Sequence, residues 1–223
     1  MAANNIEALA VNKLTRAAIR KGKKIAGFYA PPATVMPTSI TTGNPPQLAE
    51  LTGFRPMGLV TKDDGFTKSR DRDISDIFSA GFQDPSRSDT TQDIHSVQVV
   101  AQETNRLNIE ASLNVDLSTF TPDPVTGEVS FPQPTEGIIP QGRWVFLAQD
   151  GIGTGRYWWG WGFSAGVVKE TDDQTVGTDD DGFYWPYTVS SQVDPALGWS
   201  VYHYFGGPGW RAALASMGFP AVS

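Results

Sequence analysis

Val201-Tyr202-His203-Tyr204-Phe205-Gly206-Gly207-Pro208-Gly209-Trp210 decides how the rest of this 223-residue chain is read. Its first half is aromatic and β-branched, the composition of a pleated, half-buried strand. Glycines and a proline then stop the strand, since proline lacks a backbone donor and glycine favours turns. Trp199, Val201, His203 and Phe205 share one face by the two-residue period of a strand. Upstream the device repeats. Phe183, Trp185, Tyr187 and Val189 form a second row, and Tyr157, Trp159, Trp161 and Phe163 a third. Opposite the third row stand Trp158, Gly160 and Gly162, where the glycines leave room for close backbone approach or mark a bend. Pro186 cannot donate to a ladder, so its strand is expected at an edge or a bulge. Three inward aromatic rows predict one β core, each ring burying roughly 150–250 Å². The alternatives are a flat aromatic platform for sugar rings and an interface between subunits.

Composition narrows the class. With 39% hydrophobic and 18% charged residues the chain is neither disordered nor a membrane protein. No apolar run approaches the ~20 residues that span a bilayer. Cysteine is absent, which excludes disulfides and thiolate metal sites and suits a reducing cytoplasm. The N-terminus does not read as a secretory signal, because its basic residues follow a weakly apolar stretch instead of preceding one. Residues 1–25 hold Lys13, Arg16, Arg20, Lys21, Lys23 and Lys24 against Glu7 alone, a charge of +5, so the other 198 residues carry −12 of the total −7. A basic arm on an acidic body can meet nucleic acid, membrane or the acidic body of a neighbouring subunit. Phosphate binding calls for a basic surface, so docking on a second subunit is the expectation.

Along the chain, Ile6, Leu9, Ala10, Leu14, Ala17 and Ala18 suggest a helix over 5–21. Pro31, Pro32, Pro37, Pro45 and Pro46 then make residues 28–50 extended and irregular. This divides the chain into an N-terminal arm, 1–50, and a folded domain, 51–223. Met57 to Thr61 reads as a strand entering an Asp63-Asp64-Gly65 hairpin turn. Residues 62–92 read as a long polar loop, with Phe66, Ile74, Ile77, Phe78 and Phe82 as apolar anchors, and ordered loops of that length are usually functional. His95 to Ala101 alternates as a strand. Leu107, Ile109, Ala111, Leu113 and Val115 also alternate with polar residues, which by periodicity means strand. Residues 118–142 are a proline- and glycine-rich loop. Trp144 to Gln149 is almost continuously apolar, a strand covered on both faces.

Catalytic signals are weak. His95 and His203 are the only histidines, and both fall among apolar strand residues. No nucleophile elbow, phosphate loop or zinc-binding helix motif is present. Asp172-Asp173 and Asp179-Asp180-Asp181-Gly182 lack the alternating spacing of a calcium loop. No catalytic residue, metal site or cofactor is expected, and the reading is of a protein that is not an enzyme.

The order of motifs carries a resemblance. The Asp63-Asp64-Gly65 turn, the charged segment after it, Glu103-Thr104-Asn105-Arg106, the Trp-rich hairpin and Gly206-Gly207-Pro208-Gly209-Trp210 together resemble the major tail tube proteins of long-tailed bacteriophages, most nearly those of actinobacterial phages. The likeness spans roughly 55–219. The chain differs in its long proline-rich arm and in Phe78-Ser79-Ala80-Gly81, which has no tryptophan before the glycine. The resemblance implies a mainly β fold, a two-sheet β-sandwich or barrel with one flanking helix within 104–115, opened by Glu103-Thr104-Asn105-Arg106, for which Thr104 is a suitable N-cap. It implies a structural subunit that self-assembles into hexameric rings stacked as a tail tube. Four strands per subunit would give a 24-stranded barrel with a backbone diameter of ~37 Å at ~4.8 Å per strand. Double-stranded DNA would pass through it as cargo, not as a ligand. Tape measure, tail terminator and distal tail proteins would be its partners, no membrane would be involved, and the protein would be assembled in the host cytoplasm and reside in the virion. On this reading Arg16, Arg20, Lys21, Lys23, Lys24, Phe66, Ile74, Ile77, Phe78 and Phe82 are expected between subunits. A carbohydrate-binding β-sandwich of the tail is the competing expectation.

Overall fold

The computed structural model of the chain describes residues 18–135, 141–174, 176, 182–220 and 222. The helix expected over 5–21 and Arg16 lie mostly or wholly outside them. The described chain is mainly β. Its strands are β1 (Lys24–Ala30), β2 (Thr41–Thr42), β3 (Gln47–Leu48), β4 (Arg55–Pro56), β5 (Phe66–Ile77), β6 (Arg87–Ala101), β7 (Gln141–Asp150), β8 (Tyr157–Glu170), β9 (Trp185–Gln192) and β10 (Val201–Gly206). Two helices accompany them, α1 (Arg106–Leu113) and α2 (Pro208–Ala213).

All strands but β2 and β3 belong to one antiparallel sheet of order β4-β1-β7-β8-β9-β6-β5. β8 makes it fold. β7 runs along one edge of β8, while the other edge is shared: Trp158 to Phe163 pair with β10, and Ala165 to Glu170 pair with β9. The far end of the sheet returns over its beginning. Phe66 of β5 meets Phe146 of β7 with ring centroids 5.3 Å apart, and Trp144 meets Tyr187 of β9 at 6.2 Å. The two facing layers are parts of one sheet, where two sheets were expected. The layers cross steeply. Phe66, Lys68 and His95, successive along the β5–β6 ladder, lie over Phe146, Trp161 and His203 in turn, and those three are neighbours across strands, not along one.

The inner core joins Val97, Val99 and Ala101 of β6, Trp144 and Phe146 of β7, Phe163 and Val168 of β8, and Trp185, Tyr187 and Val189 of β9, with Leu107 and Ala111 of α1 closing one end. A second core lies on the outer face, where Val145, Trp158 and Tyr204 pack against Met36 and Ile40. This explains the apolar run of β7, which has one core on each side. It also shows what the proline-rich segment does. Residues 24–30 form a strand paired along β7 from Gln149 to Arg143, and residues 31–54 cover the outer face. The division expected at residue 50 does not coincide with a boundary in the packing.

Several expectations are corrected by the outer core. Trp158, read as the back of its strand, is buried, whereas Trp159 and Tyr157 are half-buried. On β10 the buried ring is Tyr204; His203 is exposed and Phe205 is 55% exposed. Trp199 packs with the outer core, and Phe183 is 40% exposed against Trp185. The physical reason is the steep crossing. The β5–β6 ladder lies over Phe146 and Trp161, meets the exposed His203 only through the His95 ring 6.2 Å away, and leaves the next row, Ala148-Trp159-Phe205, beyond its reach. The glycines of β8 admit close neighbours: a Cβ on Gly160 would strike the Phe146 carbonyl, and one on Gly162 the Tyr204 hydroxyl. Pro186 is locally at an edge, since β8 pairs with β9 only as far as Thr188.

Residues 106–113 are helical, as the resemblance implies and the periodicity does not. Asn105, not Thr104, is the cap; its side chain accepts from the Asn108 backbone at 3.0 Å. Asn108 overrides the strand pattern. Fully buried, its amide donates to the carbonyls of Met57 (2.9 Å) and Glu103 (2.8 Å), and its oxygen accepts from Tyr187 Oη at 3.0 Å. Burial pushes the Tyr187 hydroxyl well above the ordinary tyrosine pKa, so it stays a donor. Met57 to Thr61 forms only an isolated bridge, Val60 to Ala101, and the Asp63-Asp64-Gly65 turn leads into β5. In that turn Thr61 Oγ1 donates to Asp64 at 2.8 Å.

Candidate functional site

The segment expected to be a polar loop, 62–92, is largely a β-hairpin. β5 and β6 pair from Phe66 with Val99 to Ile77 with Arg87. β6 pairs with β9 only from Ser96 to Ala101. Residues 87–95, with the part of β5 opposite, therefore leave the sheet as a two-stranded ribbon, about 30 Å long at ~3.3 Å per residue. A bare ribbon is marginal in water. This one is held by polar cross-strand pairs. Arg70 grips Asp93 through two bonds of 2.7 and 2.6 Å, Gln92 donates to Asp71 at 2.8 Å, Arg72 to Thr90 at 3.1 Å and Ser88 to Asp76 at 2.5 Å. The Arg70 guanidinium holds the Asp93 carboxyl down to about 2. These pairs explain why the strands are invisible to hydrophobic periodicity: a ribbon wet on both faces has no apolar side. The register slips by one residue between Asp73 and Ile74, a bulge that bends the ribbon.

At the base of the ribbon lies a polar cluster. Lys68 Nζ is 2.9 Å from His95 Nδ1 and 5.9 Å from the Trp161 ring, and the His95 and His203 rings are 6.2 Å apart. Burial, then the neighbouring Arg70, lowers the Lys68 pKa. Burial, then Lys68, lowers that of His95, and burial with Lys68 and Arg70 lowers that of His203. At the far end Ser86 N donates to Ile77 O at 2.8 Å and closes the tip. Ile74, Ile77, Phe78 and Phe82 are 56%, 53%, 62% and 72% exposed, an apolar group on an otherwise charged ribbon. Four large apolar side chains exposed within residues 74–82 point to a contact surface. Phe66 is not among them; it is half-buried and packs against the inner core. The outer edge of β5 and one edge of β10 have no partner strand among the described residues.

Three of the basic residues, Arg20, Lys21 and Lys23, make contacts within the chain. Arg20 lies over the Tyr157 ring at 3.4 Å, the Lys21 amide donates to Asp150 at 3.4 Å, and Lys23 Nζ is 3.7 Å from Asp150. Lys24 opens β1 opposite Gln149.

A slot of about 260 Å³ opens beside α1, walled by Tyr29, Leu107, Ala111, Val115, Trp144 and Val168, with Arg55 and Arg106 among its polar lining. The sequence gives no sign of it, because its walls come from five separate segments. Also missed was Arg143, a buried cation that bonds Asp194, the Ser164 carbonyl and, at 3.2 Å, the Thr34 carbonyl, tying the outer segment to the sheet. Among the described residues no three histidine or acidic side chains gather as metal ligands, and no helix is long and apolar enough to cross a membrane. Asp172 accepts from Gln98 at 2.7 Å; Asp179, Asp180 and Asp181 lie outside the described residues. Neither a protein-family model nor a curated protein matches this sequence.

Proposed function

We propose that this chain is a structural subunit that self-assembles into stacked hexameric rings, the tail tube of a long-tailed bacteriophage, through which double-stranded DNA passes as cargo. The observation that carries the reading is the β5–β6 ribbon. It leaves the domain with an apolar tip in water and a free 12-residue edge, both of which call for a second chain. Pairing such edges between copies closes a sheet into a barrel without edges. The body's charge of −12 outside the first 25 residues suits a bore that must release a polyanion. In this role the chain is not an enzyme, works in the virion, and meets tape measure, terminator and distal tail proteins at the ends of the tube. A sugar platform on the Tyr157–Phe163 row finds less support: Phe163 is buried, Arg20 lies on Tyr157, and Gly22 sits beside Trp159. Negative-stain microscopy of the purified protein over a concentration series tests the proposal. Rings or tubes are the expected result, and single particles at every concentration would remove it.

A further inference from the structure

The base of the ribbon gathers positive charge that the fold leaves unmatched. Lys68, Arg70 and Arg72 alternate along β5 and so share one face, with His95 and Asp93 opposite Arg70 and Arg72 on β6. Lys68 and His95 turn toward Trp161 of β8 and His203 of β10. Asp93 is the only carboxylate acting on Lys68 and His95, none acts on His203, and Arg70 already grips Asp93 through two bonds of 2.7 and 2.6 Å. Asp71 and Asp73 lie on the other face of β5, where Asp71 accepts from Gln92. The facing elements bring no acid either. β8 is uncharged from Tyr157 to Val168, β9 carries no charged residue, and β10 carries only His203. We propose that this group is a binding site for a phosphate oxyanion, held between Lys68 Nζ and the His203 ring, with His95 as the residue that positions Lys68. The inference goes beyond the tube reading and does not depend on it.

Donors, charge and access agree. Lys68 is a half-buried ammonium without an ion pair among the described residues. One of its three hydrogens goes to His95 Nδ1 at 2.9 Å, which must accept and so belongs to a neutral ring; two hydrogens remain. The Trp161 ring, 5.9 Å from Nζ, backs the ammonium but offers no acceptor oxygen. His203 is exposed and its ring stands 6.2 Å from that of His95, so the donors border one small opening to solvent. Lys68, Arg70 and Arg72 against Asp93 leave +2 with both histidines neutral. A phosphate brings about −2 and three strong acceptor oxygens, and its bonds to ammonium and imidazolium are of the charge-assisted kind. Burial and then Lys68 hold both histidines below their ordinary value, so the cluster repels further positive charge as it stands. An anion beside Lys68 cancels that repulsion. Binding therefore tightens as pH falls and His203 takes up its proton.

The chain has only two histidines, which makes the test direct. Their imidazole NMR signals are followed between pH 8 and 5 in dilute full-length protein, in sodium phosphate and in sodium chloride at equal ionic strength, and the His203→Gln variant assigns them. The expected result is a His203 pKa higher in phosphate by at least about half a unit. Lys68→Gln should abolish the difference between the two salts, and Lys68→Arg, which keeps the charge, should retain it. Coincident curves in the two salts, or an undiminished difference in Lys68→Gln, overturn the site. A short DNA duplex added in chloride separates the sources of phosphate. A shift with inorganic phosphate alone supports a site for the free ion, and a shift with both supports one that also takes a backbone phosphate. A shift with DNA alone overturns the proposal, because it reports the field of a polyanion and not a place for one phosphate. None of these results alters what microscopy decides about rings and tubes.

Discussion

Trp158 and Trp159 are adjacent and chemically identical, yet the fold treats them differently. Trp158 is 4% exposed in the outer core and donates to Gln149 Oε1 at 2.9 Å; Trp159 is half-buried on the inner face past the crossing of the layers. Trp158→Ala should therefore cost ~3–5 kcal/mol, because it opens a cavity, and Trp159→Ala clearly less. Urea unfolding of both variants decides this; equal losses would show that the outer core is not as described. His95 and His203 give a second prediction at this scale. Both are held below the ordinary 6.5, so each binds its proton more readily in the unfolded chain. Stability is then intact above pH 6.5 and falls as pH drops through that value toward the lowered folded-state pKa values. Lys68 and Arg70 oppose the new charge and Asp93 partly offsets it. Melting temperature between pH 7.5 and 5 should decline less in a His95→Gln/His203→Gln double variant than in the wild type. Parallel declines would mean the histidines are not responsible.

Among the elements, the β5–β6 ribbon and α1 are where pattern and structure part. The ribbon alternates charges that pair across strands, Arg70 with Asp93 and Gln92 with Asp71, so its strands form without an apolar face. It has little burial to protect its amides, and local opening should be cheap. Hydrogen exchange should find residues 70–93 fast in dilute monomer, slow in assembled material, and distinct from β7, which is slow in both. Equal protection of the ribbon in the two states would mean that it takes no part in contacts between copies. In α1 the alternating apolar residues suggest a strand, but Asn105 caps a helix and Asn108 finds three partners only when helical.

For the whole molecule, the folded sheet sets a direction. The ribbon leaves one side over β10, and α1 with the slot closes the other, so each copy has unlike ends. On the proposed self-assembly reading, unlike ends suit stacking in one polarity, and the free edges of β5 and β10 suit lateral pairing between copies.

Local sequence by itself determined the β class, the aromatic strands at 157–163, 185–189 and 201–205, the turn after Phe205, and the doubly covered strand at 144–149. Each rests on period-two side chains or on glycine and proline chemistry, which act within a few residues. Which face of each strand is buried was decided only by the tertiary structure. The segment 31–54 covers one side of the sheet and the crossing ribbon only part of the other, so Trp158 and Tyr204 are buried while Phe205 stays exposed. The slot beside α1 likewise exists only where β1, β4, α1, β7 and β8 converge. Burial depends on what arrives from distant parts of the chain, and a strand's own pattern cannot say which of its faces will be met.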